Sequence, residues 1–256
     1  MSVFLAFTIL LSLTAKKDIK FQMFRQKARE DWILDAVGLF FQGILIPILQ
    51  VKVLYLTYQH FLPSFHASLY LHPILAFCLS FVFVDYLYYW NHRLFHTRWL
   101  WFVHQVHHTV TTMDVLGTSR NTLWTSFLIV YLWLHSLFIY LLFDPSWYIL
   151  GVSLTSALDL WRHSAINPQP TSIIYRLLSP WLTLPQDHAF HHASDYTGGN
   201  YSANLKIWDK IHNTYFPSEK IPELLGIKSN LTLTQKLFFP EKSLIFSQSE
   251  YKNNSK

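Results

Sequence analysis

The chain has 256 residues, of which 51% are hydrophobic, 18% aromatic and only 14% charged, with a formal net charge of +5 and one cysteine. Soluble domains carry about 25% charged residues, so this deficit and the long apolar runs argue against a soluble protein with a large core. Cys78 alone excludes an intrachain disulfide framework and a C-x-x-C site. The basic residues lie mostly in loops beside apolar runs, which fits membrane orientation better than nucleic-acid binding.

The first apolar run, residues 1–15, is followed rather than preceded by positive charge at Lys16-Lys17. It reads as a short membrane helix and not a signal peptide. Basic residues crowd 16–31. Trp32 to Gln50 is a second run, interrupted by Asp35 and Gln42, and Pro47 is expected to kink it or end it early. The third, Ile74 to Trp90, is expected to continue as a helix through His96. Leu123 to Phe143 is the fourth. Asp144-Pro145-Ser146 reads as a turn, and Trp147 to Leu160 is short enough to be half of a buried helical hairpin.

If the 16–31 loop is cytoplasmic, then Arg93, Arg98, Arg120 and Arg162 fall on the same side, and essentially Lys52 alone faces the other. The apolar text IIYRLLSPWLTLP, within 171–185, suits a membrane interface. Charge rises after Pro217, and the end, SEYKNNSK, is expected to be disordered. The expectation is therefore an all-α integral membrane protein with about four to five transmembrane or hairpin helices and a helical cap on the cytosolic face. It forms one domain over 1–216, with its histidine-bearing core at 74–216 and a partly disordered tail at 217–256.

The chemistry is concentrated in histidines. His92 and His96 form H-x3-H; His104, His107 and His108 form H-x2-H-H; His188, His191 and His192 repeat that pattern, and His163 lies between. Residues three or four apart share a helix face, so each group can aim two or three imidazoles at one spot. Chance would give about 0.04 H-x2-H-H matches at this histidine content, and there are two. Nine histidines exceed the three or four ligands of one mononuclear site and suggest two metals. Asp85, Asp159 and Asp187 are candidates to orient the imidazoles, with Asp159 also a candidate ligand; Asp195 and Asp209 flank the last cluster. Neither H-x-x-H carries the glutamate of a zinc protease, and no C-x-x-C-H haem motif is present, so redox-active iron with open positions for dioxygen fits best.

The texts DYLYYWNHRLFH, LWFVHQVHHT, WRHS, DHAFHH and NYSANLKIWDKIHNTY resemble the fatty acid hydroxylase superfamily, also called the sterol desaturase family. The Trp-rich second motif looks more like the alkylglycerol monooxygenase branch and its bacterial relatives. The resemblance implies a membrane di-iron enzyme that uses dioxygen to hydroxylate or desaturate unreactive C–H bonds of a lipid. It implies electrons from a separate donor of reductase, ferredoxin or cytochrome type. It also implies that His92, His96, His104, His107, His108, His163, His188, His191 and His192 hold two iron ions. One departure is Ile211-His212-Asn213-Thr214-Tyr215, where the family often reads Phe-Gly-Thr-Tyr. The alternative is a membrane metal-binding or transport protein, which would need polar residues lining a path through the spans.

Overall fold

The computed structural model describes residues 2–17, 22–195, 198–217 and 222–241. The expected disordered end at 249–256 lies outside the described residues. Helices dominate, and among the described residues pairing of extended chain is confined to three isolated bridges. In chain order they are α1 (Ser2–Lys17), α2 (Gln22–Gln26), α3 (Arg29–Phe61) and α4 (Pro73–Phe95), then α5 (Trp101–His104), α6 (Thr125–Leu128), α7 (Val130–Leu141) and α8 (Ser146–Arg162). The cap adds α9 (Ile173–Leu178), α10 (Pro185–His191), α11 (Ile207–Ile211) and α12 (Leu233–Phe238).

Two helices, α3 and α4, are long and apolar enough to cross a membrane. The 33 residues of α3 extend about 50 Å, more than the roughly 30 Å of a bilayer core. Pro47 does not end it. Wide π turns at Phe41–Leu45 and Leu49–Leu54 flank the proline, and the helix continues past the carbonyl that the ring leaves without a donor. Exposed Ile44, Ile48, Val51 and Leu56 line its outside, as a lipid-facing helix requires.

The fourth apolar run is not one helix. It breaks at Ile129, whose backbone is extended, between α6 and α7. Asn91 of α4 staples the break: its side-chain amide donates to the Leu128 carbonyl (3.1 Å) and its Oδ1 accepts from the Val130 N–H (3.2 Å). The backbone groups at this break are thus satisfied without water. The turn at Asp144 is as expected, with Asp144 Oδ1 accepting the Ser146 N–H to open α8. α8 packs between α1 and α4. At its crossing with α4, a Cβ on Gly151 would lie 2.0 Å from Ser80 Oγ, so the two helices are closer than any larger residue permits.

The amino end of α3 is bound to the cap by buried charges. Lys27 pairs with Asp35 and, at 2.9 Å, with Asp114; Arg120 pairs with Asp35 (2.6 Å) and Asp31 (2.7 Å). Two of the basic residues expected to act as free orienting charges are therefore consumed internally. Residues 222–241 also pack on this end. The Gly226 and Ile227 N–H groups donate to the carbonyls of His192 and His108, and Lys236 pairs with Glu30. The tail expected from 217 onward thus contains a strap laid across the histidine segments.

Candidate metal centre

The two H-x2-H-H motifs interleave. Nitrogen atoms of His92, His96, His104, His108 and His191 lie within 4.8 Å of one another, as do those of His107, His163, His188 and His192. In each motif the positions four apart, 104 and 108 or 188 and 192, serve one group, and the position between them serves the other. Helix ends contribute to this partition: His104 closes α5, His107 and His108 open the 3-10 turn that follows, and His192 lies just past the last residue of α10. The groups share a wall, with His108 stacked on His192 at 4.6 Å between ring centroids. All nine histidines are buried. The other five, His60, His66, His72, His135 and His212, lie outside both groups.

Backbone carbonyls set the orientation of four rings. The Nδ1–H groups donate from His92 to Tyr201 O (2.7 Å), from His107 to Arg120 O (3.1 Å), from His163 to Asp159 O (2.9 Å) and from His191 to Gly199 O (2.9 Å). A carbonyl can only accept, so in these rings Nε2 carries the lone pair. The Nε2 atoms of His107 and His163 nevertheless face each other at 3.3 Å. His188 Nε2 sits 2.9 Å from His163 Nε2 and 3.2 Å from His192 Nε2, and His92 and His104 approach at 3.1 Å through the same atoms. Two lone pairs held face to face in a dry interior repel unless a cation lies between them. Ligands at right angles, about 2.1 Å from a first-row metal, are about 3.0 Å apart. The donor set therefore fits metal ions. His104, His188 and His192 keep a buried Nδ1 with no hydrogen-bond partner among the described residues.

Burial holds the imidazoles of His104, His107, His108, His188, His191 and His192 well below the ordinary histidine range, and neighbouring imidazoles push the same way. The His163 pKa is also lowered by burial, against an opposing pull from Asp159. Neutral imidazole is the form that binds metal.

The carboxylates named from the sequence have other partners. Asp85 accepts from the N–H groups of Asn204 and Leu205 and from Trp208 Nε1 (2.8 Å). Asp187 caps α10 at the Leu184 N–H and pairs with Lys206 (2.7 Å) and the Tyr215 hydroxyl. Asp159 is 43% exposed, pairs with Arg162 at 2.8 Å and stands 3.6 Å from His163 Nδ1, on the side away from its Nε2. Asp209 accepts from the N–H groups of Tyr201 and Ser202 and from Thr214 Oγ1. Asp85, Asp187 and Asp209 thus act one step further out: they fix the 199–209 loop, whose carbonyls hold His92 and His191.

Sequence reasoning missed these carbonyls because a carbonyl has no residue signature. The Asn-Tyr and Trp-Asp tail was their only trace. The Asn213 departure has a physical reading, since Asn213 takes φ +55°, a left-handed conformation open to glycine and tolerated by asparagine. His212 fills its position by stacking on Tyr89 at 5.1 Å.

An apolar cleft of about 440 Å³ opens beside α5, lined by Phe102, Val103, Trp124, Phe127, Leu128 and Phe238. Its wall includes Val103, the neighbour of His104.

The alkylglycerol monooxygenase of Homo sapiens is 30% identical over 144 residues, covering 53% of this chain and 29% of that protein. That of Xenopus tropicalis is 28% identical over 155 residues, 58% of this chain and 32% of that protein. The ornithine lipid hydroxylase OlsE of Rhizobium tropici is 30% identical over 144 residues, 54% of this chain and 40% of that protein. The chain thus spans well under half the length of these relatives. No solved structure gives a significant match. The fatty acid hydroxylase model matches residues 77–214, a span that begins in α4, contains all nine clustered histidines and ends just past α11. With more than half of its length matched, and the site inside the match, the chain belongs to the fatty acid hydroxylase family.

Proposed function

We propose that this chain is a membrane di-iron hydroxylase that uses dioxygen to oxidise an unactivated C–H bond of a lipid, with desaturation as the variant outcome of the same hydrogen removal. The observation that carries the reading is the pair of histidine groups whose Nε2 lone pairs face one another in a buried cap. One iron would be held by His92, His96, His104, His108 and His191, and the other by His107, His163, His188 and His192. Bound iron supplies dioxygen activation, which no side chain offers.

The chain's own residues do the remaining work. Four carbonyls keep Nδ1 protonated and aim Nε2 inward. Buried Phe95 stacks on the His104 ring and keeps water from that side of it. The histidines bind metal and need not act as acid or base. The cleft at α5 and the lipid-facing helices support an apolar substrate, and the names of the relatives point to polar lipids. The order of basic segments supports a multi-pass arrangement with the cap on the cytoplasmic side, where a separate electron donor would dock. One membrane domain over 1–216 would contain the matched region, 77–214, near its carboxyl end. Against a transport role, both glutamines in the middle of α3 are committed: Gln42 donates to Ser126, and Gln50 to the carbonyls of Tyr131 and Leu132.

The test compares lipids from cells expressing the chain with lipids from cells expressing His107→Ala. One lipid class gains an oxygen or loses two hydrogens with the wild type only. Identical lipid profiles would sink the assignment.

A further inference from the structure

Tyr201 meets three members of the five-histidine group. Its carbonyl accepts from His92, and its ring lies 5.1 Å from that of His96, 5.8 Å from His191 and 6.0 Å from His92. Behind it stands Tyr89 of α4, fully buried, with its ring edge-on to Tyr201 at 6.3 Å. Beside Tyr89 stands Trp90, 5.5 Å away and 42% exposed. His212 packs against both, stacked on Tyr89 at 5.1 Å and edge-on to Trp90 at 4.8 Å. Phenol and indole rings, the side chains that most readily give up one electron, thus lead from the metal ligands to the surface in steps no longer than 6.3 Å between centroids.

Tyr89 is also placed to lose a proton. Its hydroxyl lies 2.9 Å from Thr214 Oγ1, and Thr214 donates to Asp209 Oδ1 at 2.7 Å. The threonine hydrogen is committed to the carboxylate, so Tyr89 is the donor in the first bond. Arg93 donates to the phenol oxygen at 3.3 Å, a bond that persists once that oxygen has lost its hydrogen. Other rings beside the ligands lack one end of such a path. Tyr88, 5.5 Å from His92, leads through Tyr131 and His135 to buried Tyr148, and the Tyr131 hydroxyl has no hydrogen-bond partner among the described residues. Trp101, against His96 and His108, is buried. Phe95 stacks on His104, and a phenyl ring resists one-electron oxidation.

We propose that Tyr89 and Trp90 form a relay that carries an unspent oxidising equivalent from the metal centre to the surface when no lipid C–H bond is in place. The relay rests on the proposed function, which supplies the oxidant. For one equivalent, an electron leaves Tyr89 through the Tyr201 ring for the oxidised metal centre. The phenol proton passes to Thr214 as the threonine proton passes to Asp209, leaving a neutral phenoxyl radical. Trp90 then returns an electron to Tyr89, whose proton comes back from Asp209 by the same path. The indole N–H proton of oxidised Trp90 goes to solvent, and a small thiol in solution restores the indole by giving up one electron and one proton.

The experiment uses the full chain in detergent, loaded with iron, reduced, and mixed with dioxygen without added lipid. Samples frozen at intervals are read by electron paramagnetic resonance. The wild type shows a tyrosyl signal that narrows when the chain carries ring-deuterated tyrosine. Tyr89→Phe removes most of that signal and moves oxidation onto Tyr201 and the clustered histidines, read by peptide mass spectrometry. In Trp90→Phe the signal outlives that of the wild type several-fold. Wild-type metal content in both variants reports that the fold is intact. An unchanged signal in Tyr89→Phe, or decay in Trp90→Phe at the wild-type rate, overturns the relay. So does the absence of any tyrosyl signal in wild type and Trp90→Phe while dioxygen is consumed, and that result leaves the proposed function standing. A chain that binds no iron, or binds it and consumes no dioxygen, sinks the proposed function and the relay with it.

Discussion

The two histidine groups are built in opposite ways. Four of the five members of the first, His92, His96, His104 and His108, come from 17 consecutive residues running from α4 through α5 to the turn after it, and His191 completes the group. The second draws on three distant segments: His107, His163 at the end of α8, and His188 with His192 on α10. Most of the first group is therefore held by one continuous local segment, α4 to the turn after α5, and the second exists only when α8, α10 and the 107–120 segment are packed together. Disturbances of packing should damage the second group first.

Deleting ligands tests this most strongly. His163→Ala leaves three imidazoles in the second group, and metal analysis should show loss of one metal equivalent and of lipid oxidation. His96→Ala leaves four in the first group, and more of its metal should be retained. Equal losses would contradict the asymmetry.

Acid should break both groups together in metal-free protein. These histidines are neutral when folded, with pKa values lowered by burial, and revert to about 6.5 when unfolded. The unfolded state then takes up more protons as pH falls. The sign is that stability is fully present above about pH 6.5 and lost below it, by about 1.4 kcal/mol per pH unit for each such histidine. Thermal unfolding between pH 8 and pH 5.5 should show a steep fall, and a flat profile would mean the rings are protonated or exposed when folded.

Asp35→Ala probes the second group from a distance. It leaves Arg120 and Lys27 buried with fewer counter-charges, and removing one partner of a buried pair costs about 3–5 kcal/mol. Because the Arg120 carbonyl holds His107, metal should be lost from the second group before the first. Gly38→Ala strikes the same contact more gently. The new Cβ would sit 2.1 Å from the Ser119 carbonyl oxygen, and relieving that overlap should cost about 1–3 kcal/mol, seen as a lower melting temperature.

The same contrast explains what could be read from the sequence. Only the pair His92 and His96 of the first group was legible, because H-x3-H on an apolar helix states its own geometry. The partition of each H-x2-H-H between two groups was not, since the motif gives spacing on one helix and not the position of the other. Asp85, Asp159 and Asp187 were read as imidazole partners from proximity in sequence. Asp85 and Asp187 instead hold the loop that carries two of the orienting carbonyls, and in the case of Asp159 it is the backbone carbonyl that accepts the hydrogen bond from His163 Nδ1–H. Helix breaks were only partly legible: the helix runs on through Pro47 with π turns on either side, while Ile129, with no breaker beside it, ends a helix because Asn91 supplies the missing partners. Both outcomes depend on side chains from elsewhere in the fold or on turns that composition does not reveal.

The central claim is that the two buried histidine groups hold two iron ions. Metal analysis of the full chain, purified without chelators and loaded anaerobically, tests it directly. The account predicts close to two irons per chain, falling toward one in His163→Ala. A single tightly bound zinc with no iron, or no metal at all, would contradict it.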